Sequence, residues 1–445
     1  MSTRAVLVAV QLQRVRDDEH ASSVEELARL GKTLGYEIVA RVTQKRAGLS
    51  HDAVVGEGKL RELAAWTGGT GVIPSGAAVK KRRGRLDADA DEEADAPVSA
   101  VAAERRASIV LVDHDITPSQ ARNLEKATGA EVLDRTAVIL EIFHRHARTR
   151  EARAQVEVAR LAYMAPRLRE SGGKDRARGG IGGKGAGESN LELDRRKIRD
   201  RIAELRREIE SISQDSSTRR GRRADEPTVA LVGYTNAGKS SFMRALTGSD
   251  VLVEDKLFAT LDTTIRVLKP DTRPRVLVTD TVGFIKKLPH GLVASFRSTL
   301  EEARDADLQL HVVDAADPAF PAHIEVTRKV LSEIGAEVPR LLLLNKIDRV
   351  DDVRRSDLAR SHPDAMLLSA KRPADIAALR DRIVAFFEQG MLEADLGVSW
   401  AQGALIARIH ALCRVLSEKN DETGTVLTVR ASEQTLAKLR KEIAG

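Results

Sequence analysis

The chain has 445 residues, 42% hydrophobic and 31% charged, which predicts a globular protein of about three domains. Its single cysteine, Cys413, excludes an internal disulfide framework and is expected to be a small buried hydrophobe in a reducing cytosol. No apolar run approaches the roughly 18 residues of a membrane span, and residues 4–10 lack a signal peptide's long apolar region. We therefore expect a cytoplasmic monomer without stable membrane insertion, and peripheral membrane association stays open.

Positive charge is concentrated in one part of the chain. The formal net charge is +6, but residues 144–223 hold 22 Lys and Arg against 12 Asp and Glu, a net of +10. The remaining residues are therefore net −4. A basic segment in an otherwise acidic protein predicts a local surface that binds a polyanion.

Residues 1–135 alternate strand-like and helix-like segments, which predicts a small parallel α/β domain. The strand candidates are residues 6–12, 37–43 and 109–112, and the helix candidates are residues 24–34, 57–66 and 119–128. Residues 80–98 interrupt this alternation with a basic run followed by an acidic run. Because such a sequence is too polar to pack, we expect a disordered surface insertion.

Residues 136–223 have a different pattern. Apolar residues recur at spacings of 4 and 3 in two runs, which are Ala154, Val158, Leu161, Ala165, Leu168 and then Ile198, Ile202, Leu205, Ile209, Ile212. Residues 179–187 between the runs are too rich in glycine to continue a helix. This pattern predicts an antiparallel helical hairpin with a glycine-rich tip, followed by a linker at residues 216–223. Such a basic arm suits folded RNA, although a solvated coiled coil without an RNA role fits the same pattern.

Alternation returns in residues 224–389. Near-continuous apolar strands are predicted at residues 229–232, 276–279, 310–313 and 341–344, as in parallel sheets covered on both faces. Residues 390–445 are predicted to form a small α+β C-terminal domain, with a helix near residues 404–416 and a strand near residues 425–429. The expected fold class is α/β, with a parallel-sheet nucleotide-binding domain in this third part of the chain.

A phosphate-binding loop follows the first of these strands. Its residues are Gly233, Tyr234, Thr235, Asn236, Ala237, Gly238, Lys239 and Ser240, which match G-x-x-x-x-G-K-[ST]. The loop precedes a helix predicted at residues 241–246, so backbone N–H groups and a helix N-terminus would face the phosphates. Lys239 is expected to reach the outer phosphates, and Ser240 is expected to bind Mg²⁺.

A D-x-x-G motif comes about 40 residues later, after the second strand. Its residues are Asp280, Thr281, Val282 and Gly283. An aspartate at a strand end near phosphates holds magnesium, often through water, and the glycine N–H can contact the γ-phosphate. Lys239 and Gly283 are therefore candidate catalytic residues.

Two further motifs predict selection of guanine. They are Asn345, Lys346, Ile347, Asp348 and, later, Ser369, Ala370, Lys371. The Asp348 carboxylate can accept hydrogen bonds from the guanine N1–H and 2-amino groups, a donor pair that adenine lacks. Backbone N–H groups of the second motif can support the guanine O6 edge. Four motifs in this order predict a GTP-binding domain.

A threonine that closes on Mg²⁺ and the γ-phosphate is needed between Ser240 and Asp280. The candidate segment contains Phe258, Ala259, Thr260, Leu261, Asp262, Thr263 and Thr264. We favour Thr260 as this metal-binding and catalytic residue, with Thr263 and Thr264 as alternatives. The residue after Gly283 is Phe284, where Ras-like GTPases place a water-orienting Gln. Phe284 cannot hydrogen-bond water, which predicts slow intrinsic hydrolysis and completion of the site by a partner.

Residues 56–59, Gly-Glu-Gly-Lys, could be mistaken for a second phosphate loop. They lack the full spacing and a following Ser or Thr, so we interpret them as a turn that starts a helix. His144 and His146 are interpreted as surface residues of a helix, without a role in metal binding.

These motifs resemble the HflX family of bacterial GTPases over nearly the full chain. The matching segments are residues 146–152, 155–157, 179–182, 191–196, 233–241, 257–262 and 280–285. The resemblance implies a GTPase that hydrolyses GTP with Mg²⁺, binds the large ribosomal subunit and its RNA, and separates stalled or idle ribosomes after stress. It also implies that the hairpin tip inserts near the peptidyl-transferase centre, and that ATP binding and RNA-helicase activity have been proposed for the N-terminal domain.

The tip departs from the family pattern. The family's Gly-Pro-Gly-Glu-Thr-Gln-Leu-Glu is replaced at residues 185–192 by Gly-Ala-Gly-Glu-Ser-Asn-Leu-Glu. A second functional class stays open beside the ribosomal one. It is a regulatory GTP switch for a protein or membrane partner, with the helical arm as an adaptor. Stimulation of GTP turnover by purified large subunits would separate the two.

Overall fold

The computed structural model describes residues 3–73, 106–171, 190–221, 226–249, 257–258, 264–286 and 297–444. The predicted insertion at residues 80–98 and the glycine-rich tip lie outside these residues. The chain forms two compact units, one that includes residues 1–208 and one that includes residues 209–287 and 296–445. Among the described residues, no helix is both long enough and apolar enough to cross a membrane.

The N-terminal domain contains a four-stranded parallel sheet in the order β2-β1-β3-β4. Its strands are β1 (Thr3–Leu12), β2 (Tyr36–Arg46), β3 (Ile109–Val112) and β4 (Glu131–Asp134), and its helices are α1 (Asp17–Thr33), α2 (Glu57–Thr67), α3 (Pro118–Thr128) and α4 (Arg135–His146). The parallel α/β arrangement predicted for this region is confirmed. Strand β4 was not predicted, because it has only two apolar residues between acidic ends. Helix α2 begins directly after Gly56, so residues 56–59 start a helix as predicted.

A capping box explains where α3 begins. The Thr117 hydroxyl accepts a hydrogen bond from the Gln120 backbone N–H (3.2 Å), and the Gln120 side chain accepts one from the Thr117 N–H (2.9 Å). Pro118 occupies the first helical turn, where its missing N–H costs nothing. The same helix start positions Gln120 to donate to the Ser50 carbonyl (2.8 Å), which ties α3 to the chain that follows β2.

A buried ion cluster connects α1, β3 and α4. Arg135 is 1% exposed and pairs with Asp113 (2.6 Å) and with Glu26. Asp113 also accepts a hydrogen bond from the Ser23 hydroxyl (2.6 Å). Because buried charges are tolerated only when paired, this cluster fixes the helices on the sheet.

The predicted hairpin helices are α5 (Arg150–Ser171) and α6 (Asn190–Gly221). Arg150 at the start of α5 pairs with Glu208 late in α6, as two antiparallel helices would allow. A linker was predicted at residues 216–223, but the helix continues to Gly221, so the prediction is wrong for residues 216–221. The polar sequence there contains no proline that would end the helix.

Helix α5 is attached to the N-terminal domain by a polar contact. The Tyr163 hydroxyl donates to Asp134 Oδ1 (2.8 Å), and Arg167 Nη2 donates to Asp134 Oδ2 (2.7 Å) and to the Ile116 carbonyl (3.1 Å). The Arg167 guanidinium lies 3.4 Å from the Tyr163 ring centroid. Burial raises the pKa of both Asp134 and Tyr163, so Arg167 supplies the charge that this buried junction requires.

The third domain contains a six-stranded sheet in the order β10-β9-β8-β5-β7-β6. Its strands are β5 (Thr228–Gly233), β6 (Thr264–Val267), β7 (Leu277–Asp280), β8 (Leu308–Asp314), β9 (Arg340–Asn345) and β10 (Met366–Leu367). Its helices are α7 (Lys239–Thr247), α8 (Arg297–Arg304), α9 (Phe320–Glu333), α10 (Asp352–Ser361) and α11 (Pro373–Glu388). The parallel sheet predicted here is confirmed. The short edge strand β6 was not predicted, and it runs antiparallel to β7.

The C-terminal domain is a three-stranded antiparallel sheet in the order β11-β13-β12, with two helices. Its elements are β11 (Met391–Ser399), α12 (Gly403–Leu412), β12 (Arg414–Asn420), β13 (Gly424–Ser432) and α13 (Glu433–Ala444). The helix predicted at residues 404–416 is wrong beyond Leu412, since Arg414 begins an edge strand. Cys413 lies between the two elements, fully buried in the apolar core, and burial raises its pKa to about 11.

Candidate nucleotide-binding site

Four strands of the six-stranded sheet end at one edge. Because β5, β7, β8 and β9 are parallel neighbours, their carboxyl ends meet there. The phosphate loop follows β5, Asp280 ends β7, Asp314 ends β8 and Asn345 ends β9. This edge is where ligands bind in open α/β sheets.

Two glycines give the phosphate loop its path. Gly233 has φ +147°, and a Cβ atom there would lie 2.1 Å from the Val312 carbonyl oxygen. Gly238 has φ +103°, and its Cβ would lie 2.2 Å from Asn345 Nδ2. A side chain at either position would collide with the neighbouring strand or with the guanine motif, so the loop geometry requires glycine.

Lys239 begins α7 and is buried inside the loop. Its Nζ atom donates to the carbonyls of Gly233 (3.1 Å) and Tyr234 (2.9 Å). Burial lowers the pKa of Lys239 to about 8, while the nearby Asp280 carboxylate opposes this effect. The loop's own carbonyls therefore hold the amino group at the centre of the loop.

Ser240 and Asp280 form the metal side of the site. Ser240 Oγ donates to Asp280 Oδ2 (3.0 Å), and Asp280 is fully buried. The Thr281 hydroxyl donates to the Leu231 carbonyl (2.7 Å), which fixes the D-x-x-G motif on β5. A hydroxyl and a carboxylate are hard oxygen donors, so this pair fits Mg²⁺.

Gly283 packs directly against the phosphate loop. A Cβ atom on Gly283 would lie 2.8 Å from Thr235 Cγ2 and 3.0 Å from Lys239 Nζ. Phe284 N–H donates to the Gly233 carbonyl (3.1 Å), and Thr235 N–H donates to the Phe284 carbonyl (2.8 Å). The Phe284 ring itself is buried, so this residue contributes backbone contacts and no water-binding group.

The Asn-Lys-x-Asp motif braces the same loop from the other side. Asn345 Nδ2 donates to the Ala237 carbonyl (2.7 Å), and its Oδ1 accepts from the Ala370 N–H (3.1 Å). Lys346 Nζ donates to the Asn236 carbonyl (2.8 Å) and pairs with Asp314 (2.7 Å). The side chains of this motif therefore join the phosphate loop to the Ser-Ala-Lys segment.

Asp348 is the exposed acidic residue of the motif. The Ser369 hydroxyl donates to Asp348 Oδ1 (2.6 Å), and this hydrogen bond holds the pKa of Asp348 below its usual value. Ser369 is itself fixed, because its N–H donates to Asp375 (2.7 Å) and its Oγ accepts from the Lys371 N–H (3.3 Å). The carboxylate is thus ionised and oriented, as a receptor for two N–H donors requires.

The structure describes some of the remaining predicted site residues and not others. Val282 and Ile347 are buried behind the site, and Phe258 is buried with φ +59°. Residues 259–263 lie outside the described residues, and with them Ala259, Thr260, Leu261, Asp262 and Thr263. Thr264 begins β6 and pairs with Asp280 in the sheet.

Three further residues of the site were not predicted. Asp314 could have been found, since it ends β8 just as Asp280 ends β7. Asp375 in the first turn of α11 and His323 in α9 carry no signal in the sequence. His323 stacks on Tyr234, with ring centroids 3.8 Å apart. Among the described residues, no group of three or more His, Cys, Asp and Glu side chains could hold a metal ion by itself.

Three family models match successive parts of the chain. Residues 21–73 and 94–144 match a GTP-binding GTPase N-terminal model, and residues 146–223 match a GTP-binding GTPase middle region. Residues 228–346 match a model described as a 50S ribosome-binding GTPase. The matches follow the order of the N-terminal sheet, the hairpin and the six-stranded sheet.

Similar proteins described as GTPase HflX come from several bacteria. GTPase HflX of Gluconacetobacter diazotrophicus is 58% identical over 443 residues, which cover 99% of this chain and 98% of that protein. GTPase HflX of Escherichia coli K12 is 37% identical over 429 residues, covering 95% of this chain and 92% of that protein. Among solved structures, a GTP-binding protein from the archaeon Sulfolobus solfataricus in complex with GDP is 23% identical, with a TM-score of 0.42, and covers 86% of this chain and 98% of that chain.

The family resemblance and the GTPase activity expected from the sequence are thereby confirmed. The matched region extends over almost the whole chain and therefore covers the segments that hold the phosphate loop and the guanine motif. The chain belongs to the HflX family of GTPases, and it binds GTP and hydrolyses it to GDP and phosphate.

Proposed function

We propose that this GTPase acts as a monomer on the large ribosomal subunit and its RNA, and that it dissociates stalled or idle ribosomes under stress. The basic helical arm is the observation that carries the proposal. Its helices have 22 and 32 residues, or about 33 and 48 Å at 1.5 Å per residue. Helices of that length offer a long surface for contact with folded RNA. The matched 50S ribosome-binding GTPase model supports the same partner.

The arm offers cations to RNA along its second helix. Arg199 and Arg206 of α6 are exposed, whereas Arg201 pairs with Glu204 (2.7 Å) on the same helix. Exposed guanidinium groups bind phosphates by releasing counterions, which makes binding depend on salt. Tyr163 and its neighbours hold α5 on the N-terminal domain, so the arm starts from a fixed base.

Within the nucleotide site we propose a division of roles among the residues described above. Lys239 binds the outer phosphates, and the Gly283 N–H contacts the γ-phosphate. Ser240 and Thr260 would hold Mg²⁺, with Asp280 acting through water, and the ion would neutralise negative charge on the phosphates. Asp348 accepts the guanine N1–H and 2-amino groups, and Ser369, Ala370 and Lys371 support the base.

Hydrolysis in this site depends on a partner. Phe284 replaces the water-orienting Gln and its ring is buried, so the chain lacks a side chain at that position to align the attacking water. We expect the isolated protein to turn over slowly and large ribosomal subunits to stimulate it. The ribosome would then both receive the arm and complete the catalytic site.

The proposal is tested by GTP turnover with large subunits stripped of other factors. We expect these subunits to raise the turnover rate, and ribosomes to co-sediment the protein more strongly with a non-hydrolysable GTP analogue than with GDP. Unchanged turnover together with no co-sedimentation would exclude the ribosomal role and favour a GTP switch for a protein or membrane partner.

A charge-reversal pair gives the test a control within the chain. Arg199→Glu with Arg206→Glu should weaken binding to large subunits and reduce its logarithmic salt slope by about 1.5. Lys329→Glu with Arg382→Glu makes the same charge change at exposed positions of α9 and α11. If both pairs weaken binding equally, only the overall charge matters and the arm has no special role.

A further inference from the structure

Tyr234, the second residue of the phosphate loop, has a side chain that is fixed from two directions. The residue is 5% exposed, and its ring stacks on His323 with an interplanar angle of 12°. Its hydroxyl accepts a hydrogen bond from the Lys286 backbone N–H (2.7 Å). The ring stack and the hydrogen bond of the hydroxyl together restrict the orientation of this buried side chain.

The segment after the D-x-x-G motif therefore attaches to three successive residues of the phosphate loop. Gly233 and Thr235 hold Phe284 through backbone hydrogen bonds of 3.1 and 2.8 Å. Tyr234 holds Lys286 through its hydroxyl. Of these three contacts, the one made by Tyr234 uses a side chain. It can therefore be removed by a substitution that leaves the backbone hydrogen bonds intact.

This attachment matters for Gly283, which immediately precedes Phe284. Gly283 has no spare space, since a Cβ atom there would lie within 3.0 Å of both Thr235 and Lys239. The path of the chain at Gly283 is therefore limited by the loop residues beside it and by the hydrogen bonds that hold Phe284. We infer that Tyr234 is a positioning residue for GTP hydrolysis, which fixes the Gly283 N–H through Lys286 and Phe284. The inference rests on the role proposed above for Gly283 at the γ-phosphate.

The Tyr234 hydroxyl should affect the rate of hydrolysis and not the affinity for nucleotide. The groups of the loop that face phosphate are backbone N–H groups and Lys239, whereas the Tyr234 side chain packs on His323. Loss of the hydroxyl should loosen the chain that carries Gly283 and leave the nucleotide contacts in place. Phe284 offers no group that could orient water. The rate of hydrolysis should therefore depend more on the alignment of backbone N–H groups here than in an enzyme with a catalytic Gln.

The test is Tyr234→Phe in the full chain, which removes the hydroxyl and keeps the ring. We expect GTP and GDP affinities within about twofold of wild type, and a fall in kcat of about two- to tenfold, the range for one lost hydrogen bond. Amide exchange of Lys286, read by mass spectrometry of overlapping peptides, should become faster. Unchanged kcat with unchanged exchange would overturn the inference, and so would a loss confined to affinity.

Three further variants exclude a general loss of structure. His323→Ala removes the stack and should lower kcat in the same way, while His323→Phe keeps an aromatic partner and should restore it. Tyr36→Phe makes the same chemical change in β2 and should leave kcat unaltered. Turnover is measured with and without large subunits, so a failure of ribosomal stimulation is distinguishable from a failure of the Tyr234 role.

Discussion

Asp348 is the residue that we propose selects guanine. The Ser369 hydroxyl keeps its carboxylate ionised and oriented, while the residue itself stays exposed. An aspartate in this state accepts the two adjacent N–H groups of guanine and has no matching partner on adenine. The proposed selection of guanine therefore depends on this carboxylate and on the Ser369 hydroxyl that orients it.

Asp348→Asn should weaken GTP binding by about tenfold or more, because a charge-assisted hydrogen bond is worth about 1.5–3 kcal/mol. Binding of xanthosine triphosphate should improve, since its 2-oxo group can accept from the new amide. Equilibrium titration with both nucleotides checks this. Retention of wild-type GTP affinity would show that Asp348 does not contact the base.

His311 makes the third domain sensitive to acid. It is 1% exposed in β8, and burial, helped by the positive charges of Arg340 and Arg328, lowers its pKa to about 3. The unfolded chain takes up a proton near pH 6.5, whereas the folded domain does not. A lowered folded pKa therefore means that stability is lost as pH falls below about 6.5, at about 1.4 kcal/mol per pH unit.

His311→Leu should remove this dependence. Between pH 7 and pH 5 the wild type should lose about 2 kcal/mol more stability than the variant, measured by denaturant unfolding at each pH. His144 in α4 is exposed, so His144→Gln should follow the wild type. Parallel pH profiles of wild type and His311→Leu would mean that the buried imidazole does not control acid stability.

At the scale of elements, the buried ion cluster holds the N-terminal domain together. Arg135→Met would remove the cation that pairs with the buried Asp113 and the partly buried Glu26, which should cost about 3–5 kcal/mol. Trp66 packs against the core of this domain, and the chain has only two tryptophans. In a Trp400→Phe background, urea unfolding followed by Trp66 fluorescence reports the loss.

An exposed arginine provides the comparison. Arg29 pairs with Glu25 on the surface of α1 at 3.9 Å, and Arg29→Met should change stability by less than about 0.5 kcal/mol. Adding Asp113→Asn to Arg135→Met should recover part of the loss, because it removes one uncompensated charge. Equal effects of Arg29→Met and Arg135→Met would argue against the buried cluster as the main source of stability.

Sequence patterns predicted the elements whose signal is local. Buried strands such as β3 and β5 have continuous apolar runs, and the glycines of the phosphate loop mark backbone that no other residue can adopt. The edge strands β6 and β12 were missed because they are short or polar and pair through contacts distant in sequence. His323 and Asp375 were missed for the same reason, since their roles arise only once α9 and α11 pack beside the loop.

At the scale of the whole molecule, one chain carries both a nucleotide site and a basic arm. The site binds and hydrolyses GTP, but nothing in it explains the use of that energy. The arm is the strongly basic part of the chain, and its tip carries Arg176, Arg178 and Lys184, which lie outside the described residues. Neutralising these three residues should weaken action on ribosomes in a salt-sensitive way and leave GTP affinity unchanged.

Light scattering of intact ribosomes, mixed with the protein and GTP, tests the central claim most directly. We predict that wild type lowers the scattering as subunits separate. A variant with residues 175–190 replaced by a short Gly-Ser turn should bind GTP with wild-type affinity and leave the scattering unchanged. If the variant dissociates ribosomes as well as wild type, the arm is only a scaffold and the proposed mechanism is wrong.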